Sequence, residues 1–114
     1  MREAFSSHNA LVEKHFGKLV NYNEEHFAAL NTAFVNDGVF IHVQKNVAVR
    51  EPIYIQYFFT ASDANAFTQT RNLVILEEGA SLQLAEDFRN ASNISVQYNH
   101  VSEIYIGQNA AMDV

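Results

Sequence analysis

The spacing of hydrophobic residues along the chain changes near Gly38. Between residues 10 and 20 the apolar positions recur at intervals of three and four, which is the period of a helix with one buried face. The segment EEHFAALNTAF shows the same period, and three of its apolar residues share one helical face: Phe27, Leu30 and Phe34. The pattern predicts an N-terminal helical segment over residues 1–36, ended by a left-handed C-terminal cap at Gly38.

After Gly38 apolar and polar residues alternate, which is the pattern of β-strands. The alternating runs are VFIHV, AVREPIYIQYFF, NLVIL, SLQLAE, NISVQY and EIYIG. Pro52 suits a corner between two runs, because proline cannot donate to a strand ladder, and the polar stretch TASDANAFTQT predicts a loop. Because the helices come first and the strands follow without alternation, the fold class is mainly β with N-terminal helices, and a doubly wound α/β fold is disfavoured.

Three segments of the β part resemble one another: FIHVQKNVAV, LVILEEGASL and EIYIGQNAAM, which begin 33 and 30 residues apart. In this alignment Asn46, Gly79 and Asn109 share one position. These two residue types adopt a left-handed backbone most readily. The repeat therefore predicts that the three residues form a stacked column of turns.

The alternation divides the strand residues of this repeat into two faces. One set would line a continuous apolar interior: Ile41, Val43, Val74, Leu76, Ile104 and Ile106, continued by Val49, Leu82 and Met112. The opposite set is also mostly apolar: Phe40, His42, Leu73, Ile75 and Tyr105. An apolar outer face needs a cover, and we expect either the N-terminal helices, through Phe16 and Phe27, or a partner protein to supply it.

Composition excludes several classes of function. The net charge of −6 argues against binding to nucleic acid, which needs clustered Lys and Arg. The absence of Cys removes disulfides, thiolate metal ligands and cysteine nucleophiles. The sequence has no continuous apolar run long enough for a membrane span and no apolar secretory segment at its start, so we expect no membrane association and a cytoplasmic protein.

The residues that could carry chemistry do not form a recognisable site in the sequence. His42 is the best placed histidine, yet its counterparts in the repeat, Ile75 and Tyr105, are not suited to join it in a metal site. No spacing nominates a base beside Ser or Thr. Glu77 and Glu78 occupy the polar turn of the second repeat, where the third has Gly and Gln, which favours a solvated corner over an acid–base pair.

The segments FAALNTAFVNDGVFIHVQKNV, RNLVILEEGASLQLAED and EIYIGQNAAM resemble the SufB/SufD family of the SUF iron–sulfur cluster assembly system. The resemblance covers nearly all of the chain, although VQKN stands where the family usually has VPKG. It implies a right-handed parallel β-helix, whose first coils would occupy residues 37–114. It also implies a non-catalytic scaffold that acts through contacts with SufB and SufC.

The resemblance assigns no functional residue here, so we predict no catalytic, cofactor-binding or metal-binding residue and no cofactor in this part of the family's chain. We expect the native chain to continue past Val114 through further coils, and we expect the truncated β-helix to form a homo-oligomer through its open end. The alternative is a small ligand- or carbohydrate-binding β-domain, unrelated to cluster assembly, with Tyr54, Tyr57 and Tyr105 as a binding platform.

Overall fold

A computed structural model describes residues 1–21, 23–59, 66–90 and 95–114 of the chain. It contains three helices, α1 (Arg2–Ser7), α2 (Asn9–His15) and α3 (His26–Phe34). Six strands follow: β1 (Phe40–Val43), β2 (Ile53–Phe59), β3 (Ala66–Leu76), β4 (Ser81–Asn90), β5 (Val96–Ile106) and β6 (Ala111–Asp113). None of the helices in these described ranges is long and apolar enough to cross a membrane.

The N-terminal helices form where the sequence predicts them, but their ends differ. The helix predicted for residues 10–20 ends at His15, because Gly17 has a φ of 74°, which breaks the helical path. Helix α3 ends at Phe34, and Gly38 does not adopt a positive φ, so the prediction of a left-handed cap at Gly38 is wrong. Gly38 has a different role, since a Cβ added there would overlap the backbone carbonyl of Arg71.

The face of α3 that packs is not the face that the sequence predicts. Phe27 and Phe34 are 70% and 59% exposed, whereas Ala28 and Asn31 are buried. Helical period alone tells which residues share a face, but it does not tell which face is buried. The polar Asn31 is buried because its side-chain amide donates to the backbone carbonyl of Thr70 at 2.8 Å.

The strands form two three-stranded sheets, in the orders β1-β3-β5 and β2-β4-β6. In the second sheet β2 pairs in parallel with β4 from Ile53↔Leu84 to Phe59↔Asn90, and β4 pairs in parallel with β6. In the first sheet the amides of Leu73 and Glu77 donate to the carbonyls of Val39 and Val43, so donors and acceptors advance together, as in a parallel pair.

The prediction of a right-handed parallel β-helix is wrong for the described residues. The strands lie in two separate, open three-stranded parallel sheets, and these sheets do not curl into a closed helix. The sequence repeat specifies which strands are neighbours and in what register, but it does not specify how sheets bend or close. Curvature depends on bulges and corners, and β2 pairs with β4 through seven consecutive residues without a bulge.

The predicted column of turns is confirmed. Asn46, Gly79 and Asn109 have φ values of 61°, 70° and 57°, which all lie in the left-handed region. The backbone amide of Asn46 donates to the carbonyl of Glu78, and the amide of Gly79 donates to that of Gln108, so the three turns contact one another in series. The pairs Ala48↔Ser81 and Ser81↔Ala111 reproduce the offsets of 33 and 30 residues seen in the sequence.

The chain divides into two compact units. The first comprises Met1–Ile41, Thr68–Val74 and Tyr98–Ile104, and the second comprises His42–Phe67, Ile75–Gln97 and Tyr105–Val114. The first unit buries Val12, Ala28, Leu73 and Val74; the second buries Val43, Ile75, Leu76, Leu82 and Leu84. The predicted division of the chain into residues 1–36 and 37–114 stays a prediction.

Both residue sets of the repeat contribute to the core. All residues of β3 from Gln69 to Leu76 are buried, as is usual for a central parallel strand. Ile106, in contrast, is 52% exposed, so the predicted interior is incomplete at that position. Pro52 directly precedes β2, which confirms its predicted place at a corner. Of the predicted loop TASDANAFTQT, the last five residues belong to β3, and the first six lie outside the described residues.

Candidate functional site

The most elaborate polar arrangement is a buried ion pair in the first unit. Arg71 on β3 and Glu103 on the neighbouring β5 are joined by a 3.0 Å contact between Nε and Oε2, and their side chains are only 1% and 0% exposed. Removing two charges from water is costly unless further hydrogen bonds satisfy both groups. The surroundings of this pair therefore decide whether it is stable.

Glu103 has two further donors, both from the polypeptide backbone that follows α2. The amide of Gly17 donates to Oε2 at 2.7 Å, and the amide of Leu19 donates to Oε1 at 3.0 Å. A carboxylate is an effective acceptor for such unpaired amides. The single side chain of Glu103 thus fixes the turn that follows α2 to strand β5.

Arg71 is enclosed from the other side by the N-terminal segment. Its Nη1 donates to the hydroxyl of Thr32 at 2.6 Å, and its guanidinium carbon lies 5.2 Å from the centre of the Phe16 ring. The contact with Phe16 is a cation–π interaction. The prediction that Phe16 helps to cover the outer face of the strands is therefore confirmed for the Arg71 position, whereas the exposed Phe27 plays no such part.

A second polar group joins α3 to the strands. The Nδ2 of Asn99 donates to the Phe27 carbonyl and to Oε1 of Gln69, at 2.8 Å each. Asn31 donates to the carbonyls of Thr70 and Asn99. Gln69 and Asn31 are both fully buried. These amides satisfy backbone groups that α3 and the strands would otherwise leave unpaired, and they fix the position of α3 in this unit.

A serine and a histidine whose contact the sequence pattern does not predict lie side by side on β5. His100 Nε2 is 2.8 Å from the Ser102 hydroxyl, and His100 Nδ1 is 2.7 Å from the Thr70 hydroxyl, which in turn is 2.9 Å from the Tyr98 hydroxyl. The signal was present in the sequence, because residues two apart in a strand share a face. Serine hydrolases place a carboxylate where Thr70 stands, so this chain of hydroxyls fits a structural role better than a catalytic one.

The acidic residues of the second repeat form an exposed corner, as predicted. Glu77 Oε1 is 2.9 Å from His42 Nε2, Glu77 Oε2 accepts from the Lys45 amide, and Glu78 contacts Lys45 Nζ. The hydrogen bond from His42 is the main reason why the pKa of Glu77 lies below its ordinary value. The Glu77 and Glu78 side chains are 43% and 51% exposed.

Metal ligands do not converge in the part of the chain that the structure describes, where no three His, Asp or Glu side chains are placed to hold an ion. His42 has Glu77 as a neighbour, which makes a pair and not a coordination set. The prediction that the chain has no catalytic, cofactor or metal residue stays a prediction.

The proposed tyrosine platform does not form. Tyr54 and Tyr57 are three residues apart on β2 and so point to opposite faces of the sheet. Tyr57 stacks on Phe88 of β4, with ring centres 4.8 Å apart, whereas the side chain of Tyr54 lies exposed on the other face. This geometry argues against the ligand-binding alternative.

Comparison with known proteins identifies the family. Residues 1–55 match the profile described as the SufBD protein N-terminal region. The chain is 33% identical over 111 residues to the iron–sulfur cluster assembly protein SufD of Bacillus subtilis, an alignment that covers 96% of this chain. The chain belongs to the SufBD family. It is also 36% identical over 84 residues to a SufBD family protein of Synechocystis, and 30% identical over 109 residues to a chloroplastic SufBD family protein of Arabidopsis thaliana.

The chain spans a small part of its SufBD relatives. It covers 25% of the Bacillus SufD, 17% of the Synechocystis protein and 19% of the Arabidopsis protein. The matched profile, residues 1–55, contains all three helices and strand β1. The SufBD similarity therefore includes the segment that the Arg71–Glu103 pair attaches to the strands.

Proposed function

We propose that this chain supplies the N-terminal part of a cytoplasmic, non-catalytic scaffold in iron–sulfur cluster assembly, and that the scaffold works through protein contacts with SufB and SufC. The observation that carries the proposal is the similarity to the Bacillus SufD over 96% of this chain. The names of the three relatives given above agree on cluster assembly.

The use of the buried charges supports a scaffold role. Glu103 accepts from Gly17, Leu19 and Arg71, and Arg71 donates to Thr32, so the strongest polar groups of the first unit are engaged in holding the N-terminal segment. A catalytic carboxylate has to be reachable by substrate, and Glu103 is fully buried. We infer that this unit provides a rigid surface and not a reaction centre.

Purification of the tagged product of the native gene tests the proposal. SufB and SufC should co-purify with it at a constant ratio after a salt wash, and an unrelated tagged protein of similar charge should retain neither. Loss of the gene should also lower the activity of iron–sulfur enzymes. If neither protein is retained and these enzymes keep full activity, the proposed function is wrong.

A further inference from the structure

Helix α3 presents an apolar stripe to solvent, formed by Phe27, Leu30 and Phe34. Phe27 and Phe34 lie about two helical turns apart on one face and are 70% and 59% exposed. Leu30 lies between them and is half-buried. Single exposed apolar residues are common on protein surfaces, but three in a row along one helix form a continuous patch, which is typical of an interaction site.

Hydrogen bonds to the strands hold the opposite side of α3. Nδ2 of Asn99 donates to the Phe27 carbonyl at 2.8 Å, and Nδ2 of Asn31 donates to the Thr70 carbonyl at 2.8 Å. The helix is thus attached at its first turn and again near its middle. A partner that binds the α3 stripe meets a preformed helix and does not have to order it, which lowers the entropic cost of binding.

Carboxylates lie at both ends of the α3 stripe. Glu24 and Glu25 directly precede the helix, Asp37 follows it, and all three residues are exposed. The last turn of α3 contains no basic residue, although the carbonyl groups at a helix C-terminus carry a partial negative charge that a cation stabilises. Between Lys18 and Lys45 the sequence has no Lys or Arg. This segment therefore supplies negative charge at both ends of the stripe and no Lys or Arg to balance it.

This charge distribution disfavours a second copy of the chain as the occupant. Antiparallel pairing of two α3 stripes brings Glu24 and Glu25 of one copy to Asp37 of the other, and parallel pairing brings identical carboxylates together. Like charges meet in either orientation, and each chain has a net charge of −6. An anionic membrane surface is disfavoured for the same reason. The charges instead complement a partner that has Lys or Arg at both ends of its own apolar stripe.

We propose that the α3 stripe binds a basic amphipathic helix of another protein. The apolar residues of that helix recur every three or four positions and pack on Phe27 and Phe34, and its cationic residues contact the carboxylates at the two ends of the stripe. A nine-residue helix offers much less area than a stable interface needs, so the complex is weak and sensitive to salt. The inference rests on the proposed scaffold function, because it names the kind of partner that the scaffold binds at this surface.

Photo-cross-linking in cells provides the first test. Benzoylphenylalanine replaces Phe27 in the native gene product, and in the matched control it replaces Phe58, which is 58% exposed in the second unit. The Phe27 probe should form an adduct with another protein, in a segment with Lys or Arg on both sides of apolar residues at helical spacing. The Phe58 probe should not form this adduct. The proposal is overturned if the Phe27 probe gives no adduct, or reacts only with lipid, with this chain or with a segment that lacks basic residues.

A pair of charge reversals provides the second test. Glu24→Lys and Glu51→Lys change the net charge equally and both alter an exposed residue, but Glu51 lies in the second unit. Glu24→Lys should lower the yield of the Phe27 adduct about threefold or more, and Glu51→Lys should leave it unchanged, with circular dichroism showing that both variants are folded. An equal loss in both variants, or no loss in either, overturns the proposal. If SufB and SufC co-purify with the wild type while these tests fail, only this inference is wrong and the proposed function stands.

Discussion

Arg71 and Glu103 form an ion pair that is shielded almost completely from solvent, with Nε and Oε2 3.0 Å apart and side-chain exposures of 1% and 0%. The same carboxylate accepts the amides of Gly17 and Leu19. One buried pair therefore couples two strands to the segment that follows α2, and the stability of the first unit depends on it.

Replacing one member of this pair should be strongly destabilising. Glu103→Gln leaves the Arg71 charge buried without a counter-ion, and we expect a loss of about 3–5 kcal/mol in the free energy of unfolding. Urea denaturation of the purified chain measures it. The double variant Arg71→Met with Glu103→Gln should lose about 1–3 kcal/mol less than the sum of the two single variants. Additive losses would show that the two side chains do not interact.

We expect Gly79, in the column of left-handed turns with Asn46 and Asn109, to be sensitive to substitution. Gly79→Ala introduces a side chain at a φ of 70°, where an L-residue is strained by about 1–2 kcal/mol, and the new Cβ overlaps the side chain of Asn46. The control is Asn109→Gly at the equivalent turn, which relieves a left-handed φ of 57° and should be neutral or slightly stabilising. Thermal unfolding distinguishes the two. A Gly79→Ala variant as stable as the wild type would contradict the structure of the column.

Alanine substitutions at Gly38 and Gly17 distinguish the energetic cost of steric overlap from the cost of backbone strain. A Cβ at Gly38 overlaps the carbonyl of Arg71, which is held within β3, so Gly38→Ala should cost at least about 2 kcal/mol. A Cβ at Gly17 meets no atom within 4 Å, and Gly17→Ala should cost only the strain of its left-handed φ, about 1 kcal/mol. The midpoints of urea denaturation, at equal m-values, show which of the two variants is less stable. A Gly17→Ala variant less stable than Gly38→Ala would show that β3 does not lie against Gly38.

Because Glu77 is hydrogen-bonded to His42, we expect the free energy of unfolding to depend on pH. Its folded pKa is below the ordinary value of 4.5, chiefly because of the hydrogen bond from His42, so its stabilising contribution is complete above pH 4.5 and is lost as the pH falls through the folded pKa. The difference in unfolding free energy between the wild type and Glu77→Gln should therefore become smaller as the pH falls below 4.5. The same difference, measured between His42→Ala and the double variant His42→Ala with Glu77→Gln, should change less with pH. An equal pH dependence in both backgrounds would show that His42 is not the main cause.

Local features of this fold could be predicted because they depend on residue type and spacing. Asn46, Gly79 and Asn109 identified the turns, since few residues tolerate a left-handed backbone, and Pro52 identified the start of a strand. The closure of the sheets could not be predicted, because a repeat of 33 and 30 residues gives the register and not the bend.

Contacts between distant segments were the harder part of the site. Phe27 and Phe34 were expected to pack because they are apolar, but Asn31 is the buried residue, since the carbonyl of Thr70 needs a donor. Arg71 and Glu103 are 32 residues apart, and only the strand order brings them together. A single Arg and a single Glu at the starts of two matching apolar runs, TRNLVIL and SEIYIG, were the available signal.

We propose that this SufBD family chain contributes a surface and not a reaction to iron–sulfur cluster assembly. The most direct measurement is the activity of an iron–sulfur enzyme in cells that lack the gene and receive either the wild-type gene or one with His42→Ala, His100→Ala and Ser102→Ala combined, with the abundance of both products matched by immunoblot. We predict that the deletion lowers the activity and that both genes restore it equally. A triple variant that is folded and equally abundant but fails to restore the activity would contradict the claim.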